Sequence, residues 1–319
     1  MLSFILIILG FALLIKGADF LIDGSSSIAH SLHVSDLVIG LTVVAFGTSS
    51  PELFVNIVAS FSGNTGIAFG NIVGSTIANI FLVLGCAAII FPLTVHKGVV
   101  WKEIPFSLFA VLLFSVLVND KLIMKCSSSV LTRIDGALLL IFFVVFLYFS
   151  FKFSRMDEML PERLPSKQYS MNSAFFLVVI GLVGLFAGSN LINSNALSLS
   201  NLFGVSDSLI GLSIVALGTC LPELATAVVA AFKKNAEIAV GTVVGSNIFN
   251  ILFVLGVSAV IKPLPFEGQA NIDIGVMVGA SVLLFISMFT GRKRIIDRWE
   301  GGGFVIIYFF YISFLIMNA

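Results

Sequence analysis

Residues 40–52 read Gly-Leu-Thr-Val-Val-Ala-Phe-Gly-Thr-Ser-Ser-Pro-Glu, and residues 211–223 repeat them as Gly-Leu-Ser-Ile-Val-Ala-Leu-Gly-Thr-Cys-Leu-Pro-Glu. A second segment recurs at the same offset of 171 residues: Gly-Asn-Ile-Val-Gly-Ser-Thr-Ile-Ala-Asn at 70–79 returns as Gly-Thr-Val-Val-Gly-Ser-Asn-Ile-Phe-Asn at 241–250. Residues 34–61 and 205–232 are identical at 16 of 28 positions, and residues 70–85 and 241–256 at 10 of 16. One internal duplication explains both similarities and predicts two equivalent halves.

The composition places the chain in a lipid bilayer. Of its 319 residues 58% are hydrophobic and 11% are charged, whereas soluble domains average about 25% charged residues. The formal net charge is zero and no basic stripe occurs, so the sequence gives no sign of a nucleic-acid partner. Three widely spaced cysteines fit neither a disulfide framework nor a metal site and are interpreted as packing residues.

Ten apolar runs reach the length of about 20 residues that a helix needs to cross a bilayer. They lie at 2–22, 34–61, 66–92, 100–118, 130–151, 173–193, 205–232, 236–262, 270–289 and 301–318. The runs are continuous rather than alternating, which favours helices over a β-barrel. We therefore predict an all-α membrane protein with ten transmembrane helices, the first of them retained rather than cleaved as a signal peptide.

The duplication predicts two five-helix repeats of inverted topology, because an odd number of crossings separates the two copies. The first repeat covers 1–153 with its motif at 40–85, a linker covers 154–170, and the second repeat covers 171–319 with its motif at 211–256. Loops after odd-numbered spans carry 12 Lys and Arg residues, whereas the other loops and the termini carry 4. By the positive-inside rule the linker is cytoplasmic and both termini lie outside the plasma (inner) membrane.

Glu52 and Glu223 stand out because each lies in the middle of an apolar span. An unpaired charge there costs at least about 2.5–3.5 kcal/mol. Lys16 is an unconvincing partner, since its equivalent in the sixth span is Ala187. A proton or a bound cation is therefore expected to balance each carboxylate.

The residues around the two glutamates favour a hard cation. Pro51 and Pro222 lack an N–H and should break each helix just before its glutamate, which releases carbonyl oxygens. Hydroxyl and amide groups recur at matching positions of the two halves: Thr48 and Thr219, Ser75 and Ser246, Asn79 and Asn250. Calcium takes about 6–8 such oxygens, whereas zinc or copper would prefer His or Cys, and all three histidines lie beside loops. The pattern predicts a site for calcium and sodium.

These two motifs strongly resemble the alpha-repeats of the sodium/calcium exchanger (calcium/cation antiporter) superfamily, and the ten-span length resembles its prokaryotic members. The resemblance implies that Glu52 and Glu223 are the central ligands of calcium and sodium. Further ligands implied in the same way are Thr48, Thr219, Ala45 and Ala216, with Ser49, Ser75 and Ser246 in flanking sodium sites and Asn79 and Asn250 near the centre. It also implies exchange of three sodium ions for one calcium ion, with no cofactor, and sliding of spans 1 and 6.

The chain departs from the family pattern at two positions. Cys220, a weaker and softer ligand, stands where the first copy has Ser49, which puts one sodium site in question. Asn250 replaces the Asp of potassium-dependent relatives, which argues against potassium dependence. No nucleotide-binding motif occurs, so an ion gradient is the expected energy source.

We therefore expect a secondary active sodium/calcium antiporter that works by alternating access, and not an enzyme. Three alternatives stay open from the residues alone: a proton-coupled or other divalent-cation antiporter, an intramembrane hydrolase using the paired carboxylates, and a passive channel.

Among the other acidic residues, Asp19 is expected to cap or to snorkel, and Asp36 and Asp207 to be helix N-terminal residues. The bilayer and the transported ions are the only partners the sequence indicates.

Overall fold

The described part of the protein is a bundle of helices. The computed structural model describes residues 2–95, 99–119, 129–154, 169–202, 216–266, 271–291 and 294–318. Its helices are α1 (Leu2–Leu32), α2 (Asp36–Thr48), α3 (Ser50–Ser62), α4 (Thr65–Ile90), α5 (Ile104–Leu117), α6 (Arg133–Ser154), α7 (Met171–Leu202), α8 (Ala216–Thr219), α9 (Leu221–Phe232), α10 (Ala236–Ile261), α11 (Asn271–Ser287) and α12 (Arg298–Asn318). Each of the ten predicted apolar runs overlaps at least one helix, although the run at 205–232 is described only from residue 216 onward.

Seven helices in the described ranges are long and apolar enough to cross a membrane by themselves. The bent pair α2 and α3 provides an eighth candidate span, and α9 and α11 are shorter apolar helices. The chain is thus a mainly helical, multi-pass membrane protein. The predicted linker at 154–170 lies largely outside the described residues, and Asp207 lies wholly outside them.

The two helices that carry the repeated segments 70–79 and 241–250, α4 and α10, form the centre of the bundle. In α4 and α10, 78% and 94% of the most apolar window is buried, compared with 33% in α1 and 17% in α12. Large apolar side chains such as Ile8 of α1 and Phe310 of α12 are exposed instead, as expected for helices that face lipid. The motif residues therefore lie where the protein excludes both lipid and water.

The predicted helix break at Pro51 is confirmed. α2 and α3 meet at Ser49 and are bent by 47° relative to each other. Pro51 lies in the first turn of α3, a position at which its missing N–H costs nothing. In the second half α9 begins after Cys220 with Pro222 in its first turn, so the same local sequence starts a new helix in both halves.

Four described segments form wider π-helical turns, which the apolar pattern did not predict. They are Gly40–Val44 in α2, Asn79–Leu84 in α4, Val99–Glu103 just before α5 and Phe249–Val254 in α10. π turns are uncommon and concentrate at functional sites. Two of them include Asn79 and Asn250, so both asparagines of the repeated motif lie where the helix changes its winding.

α1 and α7 pack closely in opposite directions through small residues. A Cβ atom added to Gly10 would lie 2.9 Å from the carbonyl oxygen of Gly188, and one added to Gly17 would lie 2.8 Å from that of Gly181. Two turns further along α1, a Cβ atom on Gly24 would lie 2.6 Å from the carbonyl oxygen of Ala174. Such approaches leave no room for a side chain, so the glycine-containing surfaces of predicted spans 1 and 6 face each other.

Two short antiparallel ladders tie the loops together, and neither was predicted. β1 (Leu93–Thr94) pairs with β4 (Ile295–Ile296), and β2 (Ser129–Leu131) pairs with β3 (Leu264–Phe266). In the first ladder, the strand that follows the third predicted span pairs with the strand before the tenth. In the second ladder, the strand that follows the eighth span pairs with the strand at the start of the fifth. The two ladders therefore connect the halves in a reciprocal way.

Three acidic residues outside the motifs, two in α1 and one at the start of α2, have partners within the protein. Asp19 and Asp23 both pair with Lys233 at the end of α9, with 2.6 Å between Lys233 Nζ and Asp19 Oδ1. Asp36 lies in the first turn of α2 as predicted, but Ser35 is the N-cap, since its side chain accepts a hydrogen bond from Val38 N–H. These contacts account for Asp19 and Asp36 without an ion-binding role.

Candidate ion-binding site

Glu52 and Glu223 are both completely buried. Each lies in the first turn of a helix that begins inside the bundle, α3 and α9 respectively. The N-terminal end of a helix favours negative charge, because its first N–H groups point outward. The helix breaks therefore place both carboxylates at favourable helix ends in the middle of an apolar protein.

The two motifs meet at these glutamates. The Ser49 hydroxyl, from the break in the first half, donates a hydrogen bond of 3.0 Å to Oε1 of Glu223. The Ser246 hydroxyl of α10 lies 3.5 Å from the same oxygen and 3.5 Å from the hydroxyl of Thr48. The structure thus brings together four predicted ligands from both halves of the chain.

The carboxylate of Glu52 lies close enough to Glu223 for the two to interact electrostatically. Neither Oε1 nor Oε2 of Glu52 has a hydrogen-bond partner within the described residues. The Ser75 hydroxyl lies beside this carboxylate but is itself unpartnered. Buried polar atoms are nearly always paired, so a facing group of unpaired oxygens indicates a place for a cation.

More unpaired oxygens belong to the same motifs. Within the described residues Glu223 Oε2, Asn79 Oδ1 and Asn250 Oδ1 have no hydrogen-bond partner, and all three residues are at most 1% exposed. Carboxylate, hydroxyl and amide oxygens form the ligand set that calcium takes. No group of three or more His, Cys, Asp or Glu side chains is placed to hold a metal ion by itself in the described ranges, so two acids and several neutral oxygens make up the candidate site.

The remaining predicted ligands are placed less completely. Ala45 is buried, and its carbonyl oxygen accepts hydrogen bonds from the Ser49 N–H at 3.0 Å and the Thr48 hydroxyl at 3.4 Å. Thr219 ends the short helix α8, which Ala216 begins; the Ala216 side chain is outside the described part. Their ligand role, like that of the other residues of the site, stays a prediction from the duplication and the resemblance.

Cys220 makes the two sides of the site unequal. It is 1% exposed and lies near both glutamates, in the position that Ser49 holds in the first half. Ser49 donates to Glu223, but the equivalent contact to Glu52 is missing, because both carboxylate oxygens of Glu52 are unpartnered. A thiol is a weak donor, so the substitution leaves Glu52 without the hydrogen bond that Glu223 receives.

Two polar residues next to the site were missed by the sequence analysis. Asn247 accepts a hydrogen bond of 3.1 Å from Asn79 Nδ2. Ser189 of α7 donates one of 2.8 Å to the carbonyl oxygen of Gly218, one of the carbonyls that proline was predicted to release. Neither has a like residue in the other half, since Asn247 corresponds to Thr76 and Ser189 to Ala18. In the sequence, the only sign of either residue is that a polar side chain interrupts an apolar helix.

A second polar contact supports the helix that carries Glu52. The Asn71 side chain donates to Asn56 Oδ1 at 2.7 Å, and Asn56 Nδ2 donates to the Ala68 carbonyl at 3.0 Å. Asn56 is fully buried and lies one turn after Glu52 on α3. These bonds tie α3 to α4 and fix the direction from which Glu52 enters the site.

Buried acids at the ends of broken membrane helices, among unpaired neutral oxygens, are the features of an ion-transporting helical membrane protein. The family model described as "Sodium/calcium exchanger protein" matches residues 2–152 and 173–317. The chain therefore belongs to the sodium/calcium exchanger protein family.

Individual relatives agree with the family match along nearly the whole chain. The putative antiporter CaxA of Alkalimonas amylolytica is 39% identical over 306 residues, covering 93% of each chain. The sodium/calcium exchanger MaX1 of Methanosarcina acetivorans is 33% identical, covering 99% of this chain and 98% of its own. A solved structure of the sodium-calcium exchanger NCX_Mj, soaked with sodium and calcium ions, is 36% identical and superposes with a TM-score of 0.82 over 98% of both chains.

Proposed function

We propose that this protein exchanges sodium for calcium across the plasma (inner) membrane by alternating access. The observation that carries the proposal is the meeting of both motifs around two completely buried carboxylates, where Ser49 of the first half donates a hydrogen bond to Glu223 of the second. The names of MaX1 and NCX_Mj, which describe sodium/calcium exchangers, support the same ion pair. A relative from Escherichia coli, 36% identical over 94% of each chain and named inner membrane protein YrbG, supports the location.

Charge explains why the two ions would compete for this site. Two carboxylates about 4 Å apart repel each other by roughly 4 kcal/mol at an effective dielectric constant of about 20. A single calcium ion between them removes this repulsion and supplies a charge of +2, whereas sodium ions must do so by occupying several neighbouring positions. Loading with one ion type therefore opposes loading with the other, which is the requirement for counter-transport.

We propose the following division of ligands. Glu52 and Glu223 hold calcium together with the Thr48 and Thr219 oxygens. The flanking sodium positions use Ser49, Ser75, Ser246 and the backbone oxygens of Ala45 and Ala216, and Asn79 and Asn250 complete the centre. The unpaired buried oxygens of Glu52, Ser75, Asn79 and Asn250 support this assignment.

We further propose the full ten-helix, inverted-repeat architecture with repeats at 1–153 and 171–319. Reciprocal contacts support it: Gly10 packs on Gly188 and Gly17 on Gly181, while Gly10 and Gly181 are equivalent positions, as are Gly17 and Gly188. The two reciprocal ladders support it too, because β1 and β4 must share one face of the membrane and β2 and β3 the other. The Lys and Arg bias supports placing both termini outside.

Transport by the purified protein in liposomes tests the function. Vesicles loaded with sodium and diluted into sodium-free buffer should accumulate radioactive calcium, and equal sodium on both sides should abolish the accumulation. A pH gradient without sodium should not replace the sodium gradient. Uptake that is indifferent to sodium would contradict the proposal, and uptake driven by the pH gradient alone would establish proton coupling in its place.

A further inference from the structure

The amide of Asn79 is held in one orientation by a neighbour that belongs to the other half of the chain. Asn79 Nδ2 donates a hydrogen bond of 3.1 Å to Asn247 Oδ1, and both residues are at most 1% exposed. Neither Oδ1 of Asn79 nor Nδ2 of Asn247 has a hydrogen-bond partner in the described ranges. The donor end of the Asn79 amide is therefore used, while its acceptor end is free.

The equivalent amide in the second half lacks such a neighbour. Both Nδ2 and Oδ1 of Asn250 are unpartnered within the part of the chain that the structure describes. The position equivalent to Asn247 is Thr76, whose hydroxyl donates to the Ile72 carbonyl of its own helix at 2.8 Å. The duplication thus produced two like asparagines, of which only Asn79 has a side-chain hydrogen-bond partner in the described ranges.

Orientation decides whether an asparagine can bind a cation. The carbonyl oxygen of the amide is a ligand, whereas its NH₂ group carries positive partial charge and repels a cation. The NH₂ group could instead donate to a glutamate, but both oxygens of Glu52 and Oε2 of Glu223 receive no hydrogen bond. Asn247 takes the donor of Asn79 and so keeps it away from the two carboxylates.

The backbone places Asn79 next to these carboxylates. The Asn79 N–H is bonded to the Ser75 carbonyl, so the two side chains lie one turn apart on the same face of α4. Ser75 lies beside Glu52. An amide whose NH₂ group is bonded to Asn247 therefore has its oxygen unpaired one turn from Ser75, the residue beside Glu52.

We propose that Asn247 is a positioning residue for ion binding, which accepts the NH₂ group of Asn79 and so presents the oxygen of Asn79 to the cation. The inference rests on the proposed function only in taking Asn79 as a ligand. Loss of the hydrogen bond should leave the site assembled but weaken the apparent affinity for the ion about three- to tenfold, the range expected for one net hydrogen bond. The maximal rate should stay within about twofold, because no group that touches the ion is removed.

The test compares Asn247→Thr, which installs the residue of the other half, with the control Thr76→Val. Thr76 bonds only to its own helix, so Thr76→Val should bind ions like the wild type. Ion affinity is read from the rise in melting temperature of detergent-purified protein with added calcium or sodium, and again from the ion dependence of flux. If Asn247→Thr does not fold, Asn247→Ser replaces it, because serine is also too short to reach Asn79 Nδ2.

A double-mutant cycle separates positioning from general packing. In an Asn79→Ala background, Asn247→Thr should cause no further loss of affinity, since there is no amide left to orient. The same loss in both backgrounds, or wild-type affinity in Asn247→Thr, would overturn the inference. If the wild type shows ion-dependent stabilisation but no exchange, the proposed function fails while the role of Asn247 is still decided by the cycle.

Discussion

Ser49 Oγ donates a hydrogen bond of 3.0 Å to Oε1 of Glu223, although the two residues are 174 positions apart in the chain. Ser49 occupies the helix break that leads to Glu52, so the segment that positions one glutamate also holds the other. This contact crosses the boundary between the duplicated halves. It links the surroundings of the two acids, as the proposed shared site requires.

Replacing either acid should abolish exchange. Glu52→Gln or Glu223→Gln keeps the size of the side chain but removes one of the two charges that a calcium ion requires. We expect sodium-driven calcium uptake to fall at least about 100-fold, because the loss affects a fully desolvated interaction. The control is Glu300→Gln at the start of α12, where Glu300 accepts a 2.8 Å hydrogen bond from the Asp297 N–H. Uptake near the wild-type rate in either site variant would contradict the assignment.

Cys220→Ser should change sodium dependence more than calcium affinity. A hydroxyl at this position can donate to Glu52 as Ser49 does to Glu223, and its oxygen is a better ligand for sodium than sulfur is. We expect the sodium concentration for half-maximal exchange to fall several-fold, while the calcium dependence changes by less than about twofold. The matched control is Cys86→Ser, which replaces the half-buried free thiol of α4. An unchanged sodium dependence would show that position 220 does not contribute to sodium binding.

Gly17→Ala should disturb the contact between α1 and α7. The added methyl group would lie 2.8 Å from both the Gly181 carbonyl oxygen and the Leu185 nitrogen, and backbone atoms cannot move aside as a side chain can. We expect a loss of about 1–3 kcal/mol in stability and a lower exchange rate, with ion affinity preserved. Melting temperature, flux and ion-dependent stabilisation measure the three quantities.

Gly279→Ala is the matched control for this packing prediction. A Cβ atom on Gly279 of α11 would meet nothing within 4 Å among the described residues, so this variant should be as stable as the wild type or slightly more so. Equal effects of the two substitutions would mean that the close packing of α1 on α7 is unimportant.

Lys233→Met should loosen one end of α1. Lys233 pairs with both Asp19 and Asp23, which otherwise leave two negative charges on the same helix. Since these side chains are about one-quarter to one-third exposed, the pairs contribute at most about 1 kcal/mol. Amide hydrogen exchange in the segment 19–32 should be faster in the variant.

Lys234→Met provides the comparison for Lys233→Met, because it removes the same charge from an adjacent, exposed position. Its α1 amides should exchange like those of the wild type. Equal exchange in the two variants would show that the charge pairs do not hold α1. The equivalents of Lys233, Asp19 and Asp23 in the duplication are Ser62, Asn190 and Ser194, none of them charged, so any such restraint acts at one end of the protein only.

The duplication was enough to predict the centre of the site. Residues that occur in both halves, such as Glu52 with Glu223 and Ser75 with Ser246, were found because chance does not preserve a polar residue twice in an apolar helix. The helix break at Ser49 followed from Pro51, since proline removes a backbone donor and clashes with the preceding turn. These features depend on local chemistry, which a sequence contains directly.

Features that exist in only one half could not be found in this way. Asn247 and Ser189 have Thr76 and Ala18 as equivalents, and their importance comes from contacts with distant segments.

The π turns and the short ladders could not be predicted either. A π turn lengthens a backbone hydrogen bond by only one residue, which hardly changes the apolar pattern of a helix that is buried on all sides. The ladders of two or three residue pairs are too short to show the alternation of a strand.

Diffraction from crystals soaked in calcium, with the ion located by its anomalous scattering, tests the central claim most directly. We expect one calcium ion between Glu52 and Glu223, with oxygens of both carboxylates about 2.3–2.6 Å from it. An ion bound by one glutamate alone, or calcium bound only away from both glutamates, would contradict a shared site.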